Sequence, residues 1–285
     1  MKVFNWRYYN HAAIPTTAPH EEPDLTPIKD GSIWNIEGKK PLFARYTTNW
    51  DCGYNTGWWY VIRDTSFDIS ALKTKRRYEI TKGMRFFDVK EIVNPIEYAD
   101  AFASVQEQAF SAYPLKYRPK FDKDSFVNSL TDWQKKINEG SIKIYAAFYK
   151  ETSEMAGYSY IVVKKNYLHF AVQKTNPYFE KYNVNAALVN GFLDAFNGML
   201  SKSFYICDGS RSINHETHFQ DYLEKYFGFR KVYCKLNIVY SPLCRIMIAI
   251  LFPFRFLIEQ LDSRFGLLHQ ISAICKMEEI AKLNR

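Results

Sequence analysis

The sequence is poor in the residues that build covalent or metal-held frameworks. Its 285 residues include five cysteines: Cys52, Cys207, Cys234, Cys244 and Cys275. The number is odd and no Cys-x-x-Cys occurs, so neither a disulfide framework nor a zinc ribbon is indicated. Reduced thiols in a cytoplasmic protein are the simple expectation. The stretch MKVFNWRYYNHAAIP lacks the apolar core of a secretory signal, so none is expected. A membrane-crossing helix needs about 20 apolar residues. The run from Ile246 to Phe254 has nine, and Pro253 would kink a helix there.

What is plentiful is aromatic and basic. Aromatics make up 17% of the chain and hydrophobic residues 47%, enough for one large core or two modest ones. The 21 tyrosines suit grooves that need an apolar face with a polar tip. The net charge of +8 favours anionic partners. Nucleic acid, phosphorylated or CoA-type substrates and an anionic membrane face all qualify.

Hydrophobic periodicity divides the chain into three parts: 1–83, 84–240 and 241–285. Residues 1–45 are rich in Pro, Thr and polar residues and read as an irregular arm anchored by Trp6, Tyr8 and Trp34. Residues 42–63 read as two strands around Gly-Tyr-Asn-Thr-Gly. A helix capped by Asp68 or Ser70 follows, with Gly83 as its stop. It puts Lys73, Arg76 and Arg77 on one face, either as a solvated basic surface or as an anion contact beside Tyr78. From Phe86 the order is strand, helix, helix, three strands, helix, strand, helix, strand. That is an α/β (α+β) domain, a mixed sheet flanked by helices, with a β-rich N-terminal arm before it and an amphipathic helical tail after it.

The segment DYLEKYFGFRKVYCKLNIVY, with this order of elements, resembles the GNAT acyltransferase fold, whose closing helix ends at Gly-Phe before the last strand. The basic LKTKRRYEITKG ahead of a strand and two helices resembles the Fem-type branch. The resemblance covers about residues 70–240. It implies transfer of an acyl group from acyl-CoA, or an aminoacyl group from aminoacyl-tRNA, to an amine or hydroxyl. The donor would lie where Tyr167–Lys174 and Phe204–Cys207 splay apart. Its phosphates would meet the start of the next helix. CoA-binding members carry glycines there. This chain reads KYNVNAAL, so Lys181, Asn183 and Asn185 are the candidate donor contacts, with an ordinary helix cap as the plain alternative.

Between a strand and a helix, CDGSRSINHETH crowds ionisable groups. Three readings compete. A metal site of Asp208, His215 and His218 is disfavoured, because the His-Glu-x-x-His motif needs histidines four apart and these are three apart. A turn at Asp208 and Ser210 with exposed histidines is the bland reading. The third is acid–base chemistry. His215 takes a proton and Asp208 orients it, while Arg211 and Ser210 hold an anionic group. The resemblance adds Tyr222 as the acid for the leaving group, although the usual place falls on Glu224, between Tyr222 and Tyr226. Arg76, Arg77 and Tyr158 are further substrate contacts, and no metal is expected. His169, on an apolar strand, reads first as an interior histidine.

The tail, 241–285, reads as amphipathic helix. It either packs on the body or lies in a membrane interface through residues 243–268, with Arg245, Arg255 and Arg264 at the headgroups. Together these expectations describe an acyl or aminoacyl transferase acting on a bacterial surface-glycan or cell-wall precursor, with a glycan-lipid among the acceptors to expect, at the inner face of the membrane. The alternative is a non-catalytic module that binds a nucleotide-sugar, tRNA or membrane.

Overall fold

The computed structural model describes residues 5–213, 218–261 and 266–283. The elements run in chain order. First come β1 (Trp6–Tyr9), β2 (Ala12–Pro15), α1 (Thr26–Lys29), β3 (Phe43–Thr48), β4 (Trp59–Arg63) and α2 (Thr74–Phe86). Then follow β5 (Phe87–Glu91), α3 (Ala99–Ser111), α4 (Lys123–Asn138), β6 (Ile142–Tyr149), β7 (Met155–Val163) and β8 (Tyr167–Thr175). The remainder is α5 (Val184–Phe196), β9 (Tyr205–Ser210), α6 (His218–Phe227), β10 (Arg230–Tyr233), β11 (Lys235–Tyr240), α7 (Pro242–Leu251), α8 (Arg255–Leu261) and α9 (Gly266–Leu283).

Two compact units share the chain, each built from separated segments. The first is Met1–Val61, Ser210–His218 and Lys231–Arg285; the second is Ile62–Gly209 and Phe219–Arg230.

The second unit is the mixed α/β body that the periodicity predicts. β5, β6, β7 and β8 pair antiparallel in sequence order, and β9 adds parallel to β8. Helices cover both faces. On one side α3 and α4 pack Phe102, Val105 and Leu130 against Ile142, Ile144 and Tyr158. On the other, α5 lays Val184, Ala187 and Leu188 on Phe87, Ala147 and Ala156. β6 is buried on both faces, which is why IKIYAAFY is apolar nearly throughout instead of alternating. Asp122 caps α4, its side chain accepting from the Ser125 amide at 3.1 Å.

Gly83 is not the stop of its helix, since α2 runs on to Phe86. A Cβ at Gly83 would lie 2.7 Å from the Asn183 carbonyl oxygen and 3.0 Å from the Ala187 amide nitrogen. Glycine is there so that α2 can pack closely on α5. Gly228 does end α6, with a φ of +60°. Arg63 Nη1 donates to the carbonyls of Phe227 at 3.2 Å and Gly228 at 2.7 Å, partners for groups a helix end leaves open.

The first unit corrects the reading of the N-terminus as an irregular arm. β1 and β2 form a hairpin through Asn10 and His11, whose φ values are +44° and +63°. Positive φ at both turn positions suits the right-handed twist of a two-residue hairpin, usually with glycine. Without one, the turn is hard to read in the sequence. β2 pairs parallel with β3, and β3 pairs antiparallel with β11. The closing RKVYCKLNIVY is likewise two strands, separated at Cys234. α9 supplies Met277, Ile280 and Ala281 to the core beside Phe43, Trp58 and Leu236. That part of the tail packs on the body.

Candidate active site

In the second unit, β8 and β9 pair over only three positions, Tyr167–Tyr205, Leu168–Ile206 and His169–Cys207. β8 then runs on to Thr175 without further β9 partners among the described residues. The ladder between β7 and β8 shifts at this level: Tyr160 pairs with Val172 and Ile161 with Phe170, so Ala171 is an extra residue. Such bulges re-aim backbone groups and concentrate beside active sites. A row of rings leads away from the point of parting. Phe170 meets Phe192 at 4.6 Å and Phe219 at 5.5 Å between centroids. Phe219 stacks on Tyr222, which lies 4.9 Å from Tyr226.

Asp208 follows Cys207 directly. Burial pushes its carboxyl pKa up to about 7, against the opposing effect of a hydrogen bond from Gln220. A carboxyl titrating near neutrality can take a proton from an attacking amine or hydroxyl. The Cys207 thiol next to it is pushed up to about 12 by burial, so it stays a protonated core group.

Burial also raises the Tyr222 hydroxyl pKa, and the nearby Glu79 and Tyr226 raise it further. Tyr226 donates a hydrogen bond to the Glu79 carboxylate and feels the positive charge of Arg76. Arg76 and Glu79, one turn apart on α2, thus bring charge to the tyrosines of α6. Arg77 points elsewhere: it is exposed, and its Nη1 sits 3.5 Å from the Ser70 carbonyl, the solvated-face alternative.

The candidate donor contacts are largely committed to the fold. Asn183 has a φ of +62°, and its Nδ2 donates to the Glu79 carbonyl at 3.0 Å. Asn185 Oδ1 accepts from Gln173 Nε2 at 2.7 Å. Lys181 is exposed, with its ammonium 4.2 Å from the Tyr178 ring centre. Val184, Ala186 and Ala187 in the first turn of α5 are buried. The close approach of α2 at Gly83 covers that turn. Tyr158 is 1% exposed, and its hydroxyl donates to Gln106 Oε1 at 2.6 Å. It is a core residue of the α3 side, a correction to its reading as a substrate contact. Its ring packs edge-on to Phe102 at 5.0 Å.

His215 lies outside the described residues. Ser210 and Arg211 belong to the first unit, where they line a cavity of about 710 Å³. The sequence does not single out Glu79 or Gln220, and it names Tyr226 only as a neighbour of Glu224. Helical spacing from Arg76 to Glu79 was the available signal for the first, while Gln220 had none. No group of three or more His, Cys, Asp or Glu suited to a metal occurs among the described residues.

No protein-family model and no curated protein sequence matches the chain. Solved structures do. The chain superimposes on FemX with a TM-score of 0.56 at 7% identity, covering 86% of this chain and 85% of that one. The fold is GNAT-like. A domain of similar extent is the C-terminal domain of a chain described as a lysylphosphatidylglycerol synthetase from Agrobacterium fabrum. Its TM-score is 0.49 at 10% identity, over 87% of this chain and 84% of that one. A tandem GNAT protein from the clavulanic acid biosynthesis pathway matches at 0.44 and 10% identity, over 81% and 76%. At these identities the likeness concerns the fold, while residue roles have to come from this chain's own geometry.

Proposed function

We propose that the protein transfers an acyl or aminoacyl group to an amine or hydroxyl, with Asp208 as the general base. The observation that carries this reading is the Asp208 carboxyl, held at about 7, at the place where β8 and β9 part in a GNAT-like sheet. Past the parting, β8 has no β9 partners among the described residues, and on this reading the bulge at Ala171 offers an N–H to the donor carbonyl oxygen as it gains charge. The acceptor nucleophile attacks the carbonyl carbon of the donor ester or thioester and gives its proton to Asp208. Tyr222, kept protonated by burial, supplies a proton to the departing oxygen or sulfur.

The packing of α2 on the first turn of α5 at Gly83 favours aminoacyl-tRNA over acyl-CoA, whose pyrophosphate would need room at that helix start. It equally favours a binding module without chemistry, which donor turnover distinguishes. For the acceptor we take a surface-glycan or cell-wall precursor at the inner membrane face. Support comes from an exposed stripe on α7: Leu243, Ile246, Met247 and Ile250 at helical spacing, with Arg245 beside it. Phe254, Phe256 and Leu257 extend the exposed apolar residues into α8. No helix among the described residues is long and apolar enough to cross a membrane.

The test is release of free tRNA or free CoA from charged donors, with a cell-wall precursor pool as acceptor. Asp208→Asn is expected to lower turnover roughly 10²–10⁴-fold with the circular dichroism unchanged. No release from any donor by the wild-type protein favours the binding module.

A further inference from the structure

The cavity of the first unit has no part in the proposed transfer chemistry, and its lining has a chemistry of its own. Two arginines, Arg45 and Arg211, line it together with His11, Ser210, Ser212 and Gln270. The remaining wall is mostly apolar, including Phe43, Ile213 and Met277. Among the described lining residues there is no Asp or Glu.

A guanidinium taken out of water ordinarily comes with a carboxylate. Neither arginine has one among the described residues. Arg45 lies over the Trp58 ring at 5.4 Å and sets Nη1 3.5 Å from the Met277 sulfur, a weak acceptor. Arg211 lies over the Trp59 ring at 4.6 Å, with Nη1 donating to the Gly57 carbonyl at 2.6 Å. Each guanidinium lies over an indole ring, and among the described residues one N–H donor of each guanidinium has a hydrogen-bond acceptor. Burial depresses the pKa of both, yet an arginine side chain remains charged at any physiological pH. The cavity therefore concentrates two positive charges that the described lining does not neutralise.

A second observation marks the same place. The turn of the β1–β2 hairpin, Asn10 and His11, borders the cavity, and both residues hold positive φ without being glycine. The two-residue hairpin requires this backbone, so the turn forms a fixed part of the cavity rim.

We propose that this cavity is a binding site for a phosphate dianion, carried on a small phosphate ester or on a lipid headgroup, with Arg45 and Arg211 as its anchors. Two fixed guanidinium forks match the charge and the oxygen geometry of a phosphate monoester or diphosphate. The apolar wall and the volume of about 710 Å³ leave room for the group that carries it. Asp208 is not a lining residue, so loss of the base and loss of this site are separable.

The test uses the full chain, with pyrophosphate, glycerol 3-phosphate, and vesicles of phosphatidic acid or of phosphatidylcholine as probes. Titration calorimetry is expected to show saturable pyrophosphate binding, weakened at least tenfold in Arg45→Lys and in Arg211→Lys, because lysine keeps the charge and loses the fork. Asp208→Asn is expected to bind as the wild type does. Arginine-dependent binding of soluble glycerol 3-phosphate assigns a small ester. Arginine-dependent flotation with phosphatidic acid but not phosphatidylcholine assigns a lipid headgroup. Should a lysine variant fail to fold, tryptophan fluorescence of the wild type provides the readout, since Trp58 and Trp59 lie against the two arginines. No phosphate probe binding, or binding in both lysine variants as tight as in the wild type, overturns the proposal.

Discussion

The two units treat their arginines differently. In the second, Arg230 sets Nη2 2.6 Å from Asp64, whose side chain is 11% exposed, and Arg63 donates to the carbonyls that end α6. Both are spent on the fold. In the first, Arg45 and Arg211 lie against indole rings, face a cavity and meet no carboxylate among the described residues. A charge that stabilises structure has partners in the chain. A charge kept for a ligand has a rigid seat and open donors. The second unit has its own exception in Asp208, a buried carboxyl whose ionisation the fold resists.

The largest effect expected is on that exception. Asp208→Asn removes the base, and donor turnover should fall roughly 10²–10⁴-fold in a single-turnover assay. Stability should move the other way. The folded pKa, about 7, lies above the ordinary 3.8, so the contribution of Asp208 is full below about 4 and is lost as pH rises through about 7. The Asn variant carries no such loss, and its melting temperature should gain on the wild type by a few degrees between pH 4 and 8.

Close packing in the second unit gives the next effect. Gly83→Ala puts a Cβ against the backbone of Asn183 and Ala187, and should cost about 1–3 kcal/mol in denaturant unfolding. Arg230→Met leaves the Asp64 carboxylate without its ion pair and should cost about 1.5–3 kcal/mol, reduced at high salt because Arg230 is exposed. The comparison sharpens with Arg211→Met, which loses one hydrogen bond and one ring contact but also a charge that meets no carboxylate among the described residues. Its unfolding free energy should change by less than about 1 kcal/mol, or rise. If Arg211→Met is as damaging as Arg230→Met, the contrast between the units fails. Smallest of all is Ile246→Lys on exposed α7, within about 0.5 kcal/mol in stability. It should nonetheless reduce flotation with anionic vesicles.

The sequence made the second unit legible because its signals are local. Asp122 caps α4, Gly228 ends α6, and the turns between β6, β7 and β8 fall where the polar breaks are. The first unit was not legible in this way. Its sheet joins β3 to β11, whose partners Phe43 and Tyr240 stand far apart in the chain, and its hairpin turns on Asn10 and His11 with no glycine to announce it. Site residues divided along the same line. Asp208 stood out as an acid after an apolar strand, whereas only the fold shows that burial shifts it. Tyr158 reads as any tyrosine on a strand, and only the fold sets Gln106 beside its hydroxyl. Arg45, the one charged residue of β3, is not singled out by the sequence, and only the cavity gives it a role.

The pH dependence of donor turnover between pH 5 and 9 tests the central claim most directly. With Asp208 as the base, wild-type turnover rises with pH, passes half its maximum near 7 and levels off, while Asp208→Asn is low and shows no such step. A wild-type profile that is flat across this range, or turnover in Asp208→Asn equal to the wild type, contradicts it.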